Sequence, residues 1–315
     1  MNHVNGFTGW PAGAVHLAIG VFDGVHRGHQ ELIRRLKAFA QAQRATAVAS
    51  TFDPLPIEIL APGAPPSALS HADERAALLA AAGADAVVVF RSDPAFFAMT
   101  AKEFVERVRG AGDVRRIVVG EDFRFGRDRE GDVPALARLS GERGIDVEVV
   151  PPVTWDGAVI SSTRIRNLLL VGDVKGAADL LGRPHSVRGR IVHGDKRGRR
   201  LGYPTINVAT PPDRLLPRDG IYATWVGLGS ERRPAATSLG VRPTFGGGDR
   251  VLESFILDLS ADFYGEDVEV TFVERLRDEL RFESAEALIA QIAKDVEATR
   301  QALRYTPDRE QRYKR

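Results

Sequence analysis

The sequence has 315 residues and no cysteine. That absence excludes a disulfide scaffold, a thiolate metal site and a cysteine nucleophile, and it fits a reducing compartment, the cytoplasm. Charge of one sign is missing too. The 43 basic and 42 acidic side chains leave a formal net charge of +1, which argues against a nucleic-acid platform and against a charge-extended disordered chain. Long hydrophobic runs are also absent. The longest, around Ala76–Ala82 and Ala86–Phe90, end at Gly83 and Arg91, well short of the ~18 apolar residues a membrane-spanning helix needs, so no membrane association is expected. The opening stretch Met1 to Gly20 has no basic region ahead of an apolar run, and no signal peptide is expected. What remains is length for about two domains, with a hydrophobic fraction of 43% and a charged fraction of 27%, ordinary values for globular chains.

The pattern changes once along the chain. In the first part, Val- and Ile-rich segments at Val15–Val21, Thr46–Phe52, Ala86–Phe90, Arg116–Val119 and Val147–Val150 read as buried strands. Helical patterns lie between them, such as Gln30–Arg44 with Leu32, Ile33, Leu36, Phe39 and Ala40 on one stripe. Ser70–Asp73 and Thr100–Glu103 have the form of capping boxes. Alternation of this kind predicts a parallel sheet covered by helices on both faces. After Leu181-Gly182-Arg183-Pro184 the strands at Val187–His193, Ile221–Leu228, Ala235–Leu239, Leu252–Leu259 and Val268–Val273 follow one another without helices, which predicts an antiparallel barrel or sandwich. A last helix starts near Ser284 with Leu288, Ile289, Ile292 and Val296 on one face, and the polar tail from Thr306 to Arg315 is expected to fray. The expected domains are 1–183, α/β, and 184–315, mainly β with a terminal helix.

Gly20–Gln30, GVFDGVHRGHQ, leads from a buried strand through glycines into a helix. A helix N-terminus offers unpaired amides and the positive end of its dipole to a phosphate, and Gly24 and Gly28 allow close approach of the backbone. His26 and His29, three apart, face one side and are placed to stabilise charge on a transferring phosphate; they could equally cap the helix. Ile160–Asn167, ISSTRIRN, puts Arg164 and Arg166 after the capping residues Ser161, Ser162 and Thr163. Arginines at a helix start oppose the dipole unless an anion binds there. Asp53 closes the second strand, and Asp122, Phe123, Arg124 and Arg127 follow the fourth. These are positions where α/β ligand crevices lie, although the charged ones also suit loop salt bridges.

In the second part, His193–Asn207 reads HGDKRGRRLGYPTIN. Its Gly194, Lys196, Arg197, Gly198, Gly202 and Pro204 pack poorly but suit a phosphate-gripping loop. Thr205 and Asn207 face one side of an extended segment, and their oxygens are hard ligands suited to Mg²⁺. Glu253 begins the otherwise apolar strand LESFILDL, where a carboxylate is either paired at a rim or placed for general-base chemistry. Arg277 and Phe282 precede the last helix; a salt bridge at the start of that helix also accounts for Arg277.

His26-Arg-Gly-His29 together with Ile160-Ser-Ser-Thr-Arg-Ile-Arg166 resembles the nucleotidylyltransferase superfamily, and His193–Asn207 resembles the riboflavin kinase motif, with Ile206 where alanine is usual. Asp219-Gly-Ile-Tyr222, Gly240–Phe245 and Leu252–Asp258 extend the second match. Both halves in this order resemble the bacterial bifunctional riboflavin kinase/FMN adenylyltransferase family, over roughly residues 14–300. The resemblance implies a Rossmann-like adenylyltransferase domain followed by a β-barrel kinase domain. It implies ATP, riboflavin and FMN as small-molecule partners, FAD as product and Mg²⁺ with ATP. It assigns His26, His29 and Arg164 to adenylyl transfer and Glu253 to the kinase step as general base. ATP contacts would come from Gly20, Phe22, Gly24, Gly28, Ser161, Ser162, Thr163 and Arg166, and from Gly194, Lys196, Arg197, Gly198, Gly202 and Pro204 in the second half. Metal contacts would come from Thr205 and Asn207, and flavin contacts from Asp53, Asp122, Phe123, Arg277 and Phe282. Two other readings stay open: an adenylyltransferase for another phosphorylated acceptor with an idle barrel, and a flavin-binding module without catalysis.

Overall fold

The structure is a computed structural model that describes residues 3–61, 68–194, 198, 201–241, 250–259 and 263–304. The chain forms two compact units, Met1–Ser162 and Thr163–Arg315.

The first unit is built on a six-stranded sheet. Its strands are β1 (His3–Asn5), β2 (Ala14–Ile19), β3 (Thr46–Asp53), β4 (Ala86–Arg91), β5 (Asp113–Gly120) and β6 (Asp146–Val150), in the order β1-β4-β3-β2-β5-β6. Every pairing is parallel, as expected for strands that read as continuous apolar runs. Alternate residues feed two cores. Val15, Leu17 and Ile19 face one side with Val48, Phe90 and Phe104, and Ala18 faces the other with Ala47, Ala49 and Val118. Helices α1 (Arg27–Ala42), α2 (Pro56–Leu60), α3 (Ala72–Ala81), α4 (Pro94–Ala98), α5 (Ala101–Ala111) and α6 (Val133–Gly141) supply the covering layers. Ile33, Leu36 and Leu79 of α1 and α3 close one core, and Phe104, Val108 and Leu136 of α5 and α6 close the other. The sheet is doubly wound, and its order reverses between β2 and β5, where such folds open a ligand crevice at the carboxyl ends of the strands.

Of the two expected capping boxes, one shifts. The Thr100 box forms: Glu103 N donates to Thr100 Oγ1 at 3.2 Å, and Thr100 N donates to Glu103 Oε2 at 2.8 Å. The box expected at Ser70–Asp73 sits one residue later, with His71 as N-cap and its amide donating to Glu74 Oε2 at 2.9 Å. Ser70 is not free to cap, because its hydroxyl accepts from Gly24 N and reaches the Asp23 carboxylate. The short hairpin β7 (Thr154–Trp155) and β8 (Ala158–Val159), which precedes Ile160-Ser161-Ser162, carries too few residues for a periodic signal.

In the second unit α7 (Ser162–Leu170), which starts at the unit boundary, and α8 (Val174–Leu181) precede a closed antiparallel barrel. Its strands are β9 (His185–Val192), β10 (Ile206–Ala209), β11 (Gly220–Leu228), β12 (Glu231–Val241), β13 (Arg250–Ile256) and β14 (Asp267–Arg277), in the order β10-β13-β12-β11-β14-β9 with β10 also paired to β9. α8 packs on β9 and β14. The break in compactness therefore comes earlier in the chain than the change in strand–helix alternation near residue 184. The barrel interior takes Val226, Leu239, Leu252, Ile256, Val270 and Phe272, with a buried hydroxyl ladder Thr224–Thr237–Ser254 at 2.6 and 2.8 Å. The final helix α9 (Ala285–Arg304) buries Asp295, Thr299 and Leu303. Its expected aliphatic stripe at Leu288, Ile289, Ile292 and Val296 is only half-buried. The shift follows from Arg277, which grips Asp295 through Nε at 2.8 Å and Nη2 at 2.5 Å and so turns that face of the helix inward. The tail expected to fray lies outside the described residues.

His185 is buried at the start of β9, with Nε2 3.3 Å from Leu215 O, and burial followed by the Arg214 charge lowers its pKa to about 3. From the unfolded value of 6.5 down to about 3, the unfolded chain binds a proton that the folded chain refuses. The stabilisation is therefore complete above the unfolded pKa and declines as pH falls below it, by about 1.4 kcal/mol per pH unit. A His185→Gln chain, which keeps a donor for Leu215 O, should lose less thermal stability than the native chain between neutral pH and about pH 5. Equal losses in a calorimetric pH series would contradict this assignment.

Candidate functional site

The first site grows out of the end of β2. Gly20–Gly24 leaves the sheet at the topological reversal, with Phe22 (φ 53°), Gly24 (φ 77°) and Val25 (φ 40°) in the left-handed region. Two of these are ordinary L-residues, so the turn is strained and its surroundings must hold it. A Cβ on Gly20 would meet the Phe22 ring at 2.9 Å, and one on Gly28 would meet the His26 ring at 3.1 Å, so both glycines leave room for rings. His26 is the N-cap of α1, accepting from His29 N at Nδ1 over 3.3 Å. The two imidazoles stack with centroids 3.5 Å apart, and Phe22 meets His29 edge-on at 5.1 Å. Capping and pairing are thus both realised in the same two residues.

Burial, reinforced by His26, holds the pKa of His29 well below 6.5, so the ring is neutral near pH 7. Its Nδ1 is sealed from solvent with no hydrogen-bond partner among the described residues. Such a buried polar atom costs about 1–3 kcal/mol unless a partner is supplied, and in a native structure it points to a role. Beside the pair, the Arg27 guanidinium lies 5.2 Å over the Trp155 ring of the β7–β8 hairpin, a contact with no counterpart in the sequence motifs.

Sequence reasoning assigned no role to the group beneath this turn. The Asp23 carboxylate accepts from Leu69 N and Ser70 N, each at 3.0 Å, and from Ser70 Oγ at 3.2 Å. Asp23 O accepts from Ser162 Oγ at 2.9 Å, which ties the start of the ISSTRIRN segment to the turn. Arg164 and Arg166 fall in α7 within the second unit. Asp53 and Asp122 are exposed at the carboxyl ends of β3 and β5, and Phe123 stacks on Phe125 at 5.4 Å against the core.

The second site lies on the outer wall of the barrel. Val208 and Leu252 pair across β10 and β13 and point inward, so their neighbours Asn207 and Glu253, also a cross-strand pair, point outward. Ser238 of β12 is the partner of Glu253 on its other side. A directly opposed pair places its Cβ atoms about 5 Å apart, close enough for both side chains to act on one ligand. Asn207 is 7% exposed. A Cβ on Gly194 would collide with its carboxamide, and one on Gly198 would crowd Thr205 Oγ1 at 3.3 Å. Glycine at 194 therefore makes room for the Asn207 carboxamide, and glycine at 198 makes room first for the Tyr203 carbonyl oxygen and then for Thr205 Oγ1. Lys196 and Arg197 lie outside the described residues, while Gly202 and Pro204 lie in the approach to β10. Arg277 spends its guanidinium on Asp295, and Phe282 is half-buried just before α9.

Comparisons with known proteins agree with this two-part arrangement. The family model described as FAD synthetase matches residues 11–164, and the one described as riboflavin kinase matches residues 181–303. A bifunctional riboflavin kinase/FMN adenylyltransferase of Escherichia coli (strain K12) is 38% identical over 285 residues, covering 89% of this chain and 90% of that protein. One of the same name from Pseudomonas fluorescens is 39% identical over 284 residues, covering 90% and 91%. A solved structure named as a macrolide-efflux protein from Streptococcus pneumoniae matches with a TM-score of 0.87 at 34% identity, covering 95% of this chain and 98% of that one. Among the described residues no helix is long and apolar enough to cross a membrane.

Proposed function

We propose, from the premise that the chain belongs to the bifunctional riboflavin kinase/FMN adenylyltransferase family, a division of its two reactions between the two sites just described. The chain phosphorylates riboflavin to FMN with ATP and adenylylates FMN to FAD with release of pyrophosphate. The observation that carries the division is the register of β10 against β13, which sets Asn207 opposite Glu253, well separated in sequence from the His26–His29 stack at α1.

In the kinase step Glu253 accepts the proton of the ribityl 5′-hydroxyl as its oxygen bonds to the γ-phosphorus of ATP and ADP leaves. Thr205 and Asn207 fit Mg²⁺: both present hard oxygens, and Gly194 and Gly198 clear the space around them. When bound there, the ion would neutralise charge on the ATP phosphates. Lys196, Arg197, Gly202 and Pro204 complete the ATP loop, and Phe282 lines the flavin side, with Arg277 holding that segment to α9.

In the adenylyl step an FMN phosphate oxygen attacks the α-phosphorus of a second ATP, and the bond to pyrophosphate breaks. A phosphate is already ionised near neutral pH, so the site needs charge stabilisation and alignment more than a base. His26 and His29 supply donors to the transferring group. Gly20, Phe22, Gly24 and Gly28 shape the loop around ATP, and Ser161, Ser162, Thr163, Arg164 and Arg166 hold the departing pyrophosphate. Asp53, Asp122 and Phe123 face FMN. The activities divide near residues 183/184, close to the start of the stretch that the riboflavin kinase model matches, residues 181–303. The partners are small molecules rather than nucleic acid, and the lack of cysteine and the use of ATP support a cytoplasmic chain.

The metal assignment has a direct test. Asn207→Ala should raise the Mg²⁺ concentration needed for half-maximal FMN formation about tenfold, equivalent to about 1.4 kcal/mol. FAD formation from supplied FMN should keep the native Mg²⁺ dependence. An unchanged Mg²⁺ requirement in the kinase assay would remove Asn207 from the metal site.

A further inference from the structure

Among the largest fully buried side chains of the described residues is an arginine, Arg75, 1% exposed. Arginine is almost never buried unless paired, and this one lies in the first turn of α3, where the sequence offers no motif for it. Its contacts explain the position. Arg75 Nε donates to Thr51 Oγ1 at 3.2 Å, Nη1 to Ser70 O at 2.5 Å and Nη2 to Phe52 O at 2.5 Å, and Nη1 stands 3.9 Å from Asp23 Oδ1.

Three of these partners, Thr51, Ser70 and Asp23, lead back to the turn after β2. Thr51 Oγ1 donates its own hydrogen bond to Val21 O at 2.8 Å. Asp23 belongs to the turn itself. Ser70 takes the amide of Gly24 at 2.9 Å. One guanidinium therefore braces Val21 through Thr51 of β3, Gly24 through Ser70 ahead of α3, and Asp23 directly. That turn holds Phe22 and Val25 at positive φ, a conformation that persists only when its surroundings over-determine it. It also delivers His26 to the N-cap of α1 and so fixes the histidine stack.

We propose that Arg75 is a positioning residue for adenylyl transfer: it touches no reacting group, and it fixes the Val21–Gly24 turn so that His26 and His29 are preset. The proposal rests on the reading of that histidine pair as the adenylyl-transfer site. Preset geometry acts on the transition state, where a displacement of about 1 Å costs on the order of 10²-fold in rate. Ground-state affinity for FMN, which does not meet this turn, should change little.

The test compares Arg75→Lys, Arg75→Met and Asp23→Asn/Arg75→Met in the full chain, following FMN to FAD with Mg·ATP. Arg75→Lys keeps the charge and loses the fork of donors, so kcat at saturating ATP should fall at least about tenfold with KM for FMN within about threefold. Arg75→Met leaves the Asp23 carboxylate buried without its cation, and it should be slower still. Neutralising that carboxylate in the double variant should recover at least about tenfold over Arg75→Met, a rescue that mere loss of packing does not give. Riboflavin phosphorylation should stay within about twofold throughout. Native kcat in Arg75→Lys, a rise in KM for FMN at constant kcat, or a double variant no faster than Arg75→Met would overturn the proposal. If Arg75→Met shows no thermal transition for the first unit, the kcat and KM of Arg75→Lys decide alone. His29→Ala is run alongside: retention of FAD formation in that variant would sink the reading of the histidine pair itself, whatever Arg75 does.

Discussion

Glu253→Ala is expected to lower kcat for riboflavin phosphorylation by about 10²–10³-fold, within the usual contribution of a positioned general base. The side chain sits on the outward face of β13, half-buried, between Asn207 of β10 and Ser238 of β12. The barrel core at this level is made by Leu252, Ser254 and Ile256 on the opposite face, so truncation opens no cavity inside the barrel. The loss should therefore be chemical rather than structural, with thermal stability within about 0.5 kcal/mol of native, as for substitutions away from the core. Glu253→Gln, which keeps shape and hydrogen bonding but not basicity, should be about as slow as alanine. A glutamine variant with near-native kcat would mean that Glu253 orients the substrate and does not take its proton.

His29→Ala should reduce FAD formation from FMN by about 10²–10³-fold, the range seen when a preorganised donor to developing charge is removed. His29 stacks on His26 at 3.5 Å, touches Phe22, and carries a buried Nδ1 with no hydrogen-bond partner among the described residues. Removing it takes away that unsatisfied atom, so the folded state should lose little stability while the reaction loses a donor. Because burial and His26 keep His29 neutral near pH 7, the native rate should show no titration step of this ring at its ordinary value of 6.5. A step there that disappears in His29→Ala would show that the ring acts as a cation.

Much of this was legible in the sequence because it rests on periodicity and on local motifs. The alternation of apolar strands with amphipathic helices pointed to a parallel sheet covered on both faces, and the run of strands after residue 184 pointed to an antiparallel barrel or sandwich, between which the family resemblance chose the barrel. The sequence places Gly194 and Gly198 in a phosphate-gripping loop, and the structure adds what lies against them, the Asn207 carboxamide at the first and the Tyr203 carbonyl with the Thr205 hydroxyl at the second. The opposition of Asn207 and Glu253 was not legible. Register between strands distant in the chain is set by barrel closure, not by either strand alone.

Arg75 escaped notice for a related reason. It follows Asp73 and Glu74 in the first turn of α3, where a basic residue looks like an ordinary helix-surface charge, and its partners Thr51, Phe52, Ser70 and Asp23 lie on three other segments. A buried ion pair between distant segments leaves no spacing to detect. The displaced capping box was a visible trace of it: Ser70 does not cap α3 because its hydroxyl serves Gly24 and Asp23. The face of α9 shows the same thing, since a charged pair, Arg277 with Asp295, overrode the aliphatic stripe in choosing what is buried.

The most direct measurement is a chromatographic separation of the flavins and nucleotides made by His29→Ala and Glu253→Ala, each given riboflavin or FMN with Mg·ATP. His29→Ala should convert riboflavin to FMN and stop there, with ADP as the nucleotide product. Glu253→Ala should leave riboflavin unchanged and turn added FMN into FAD with matching pyrophosphate. If either variant, shown to be folded, loses both conversions together, the two reactions do not belong to two separate sites.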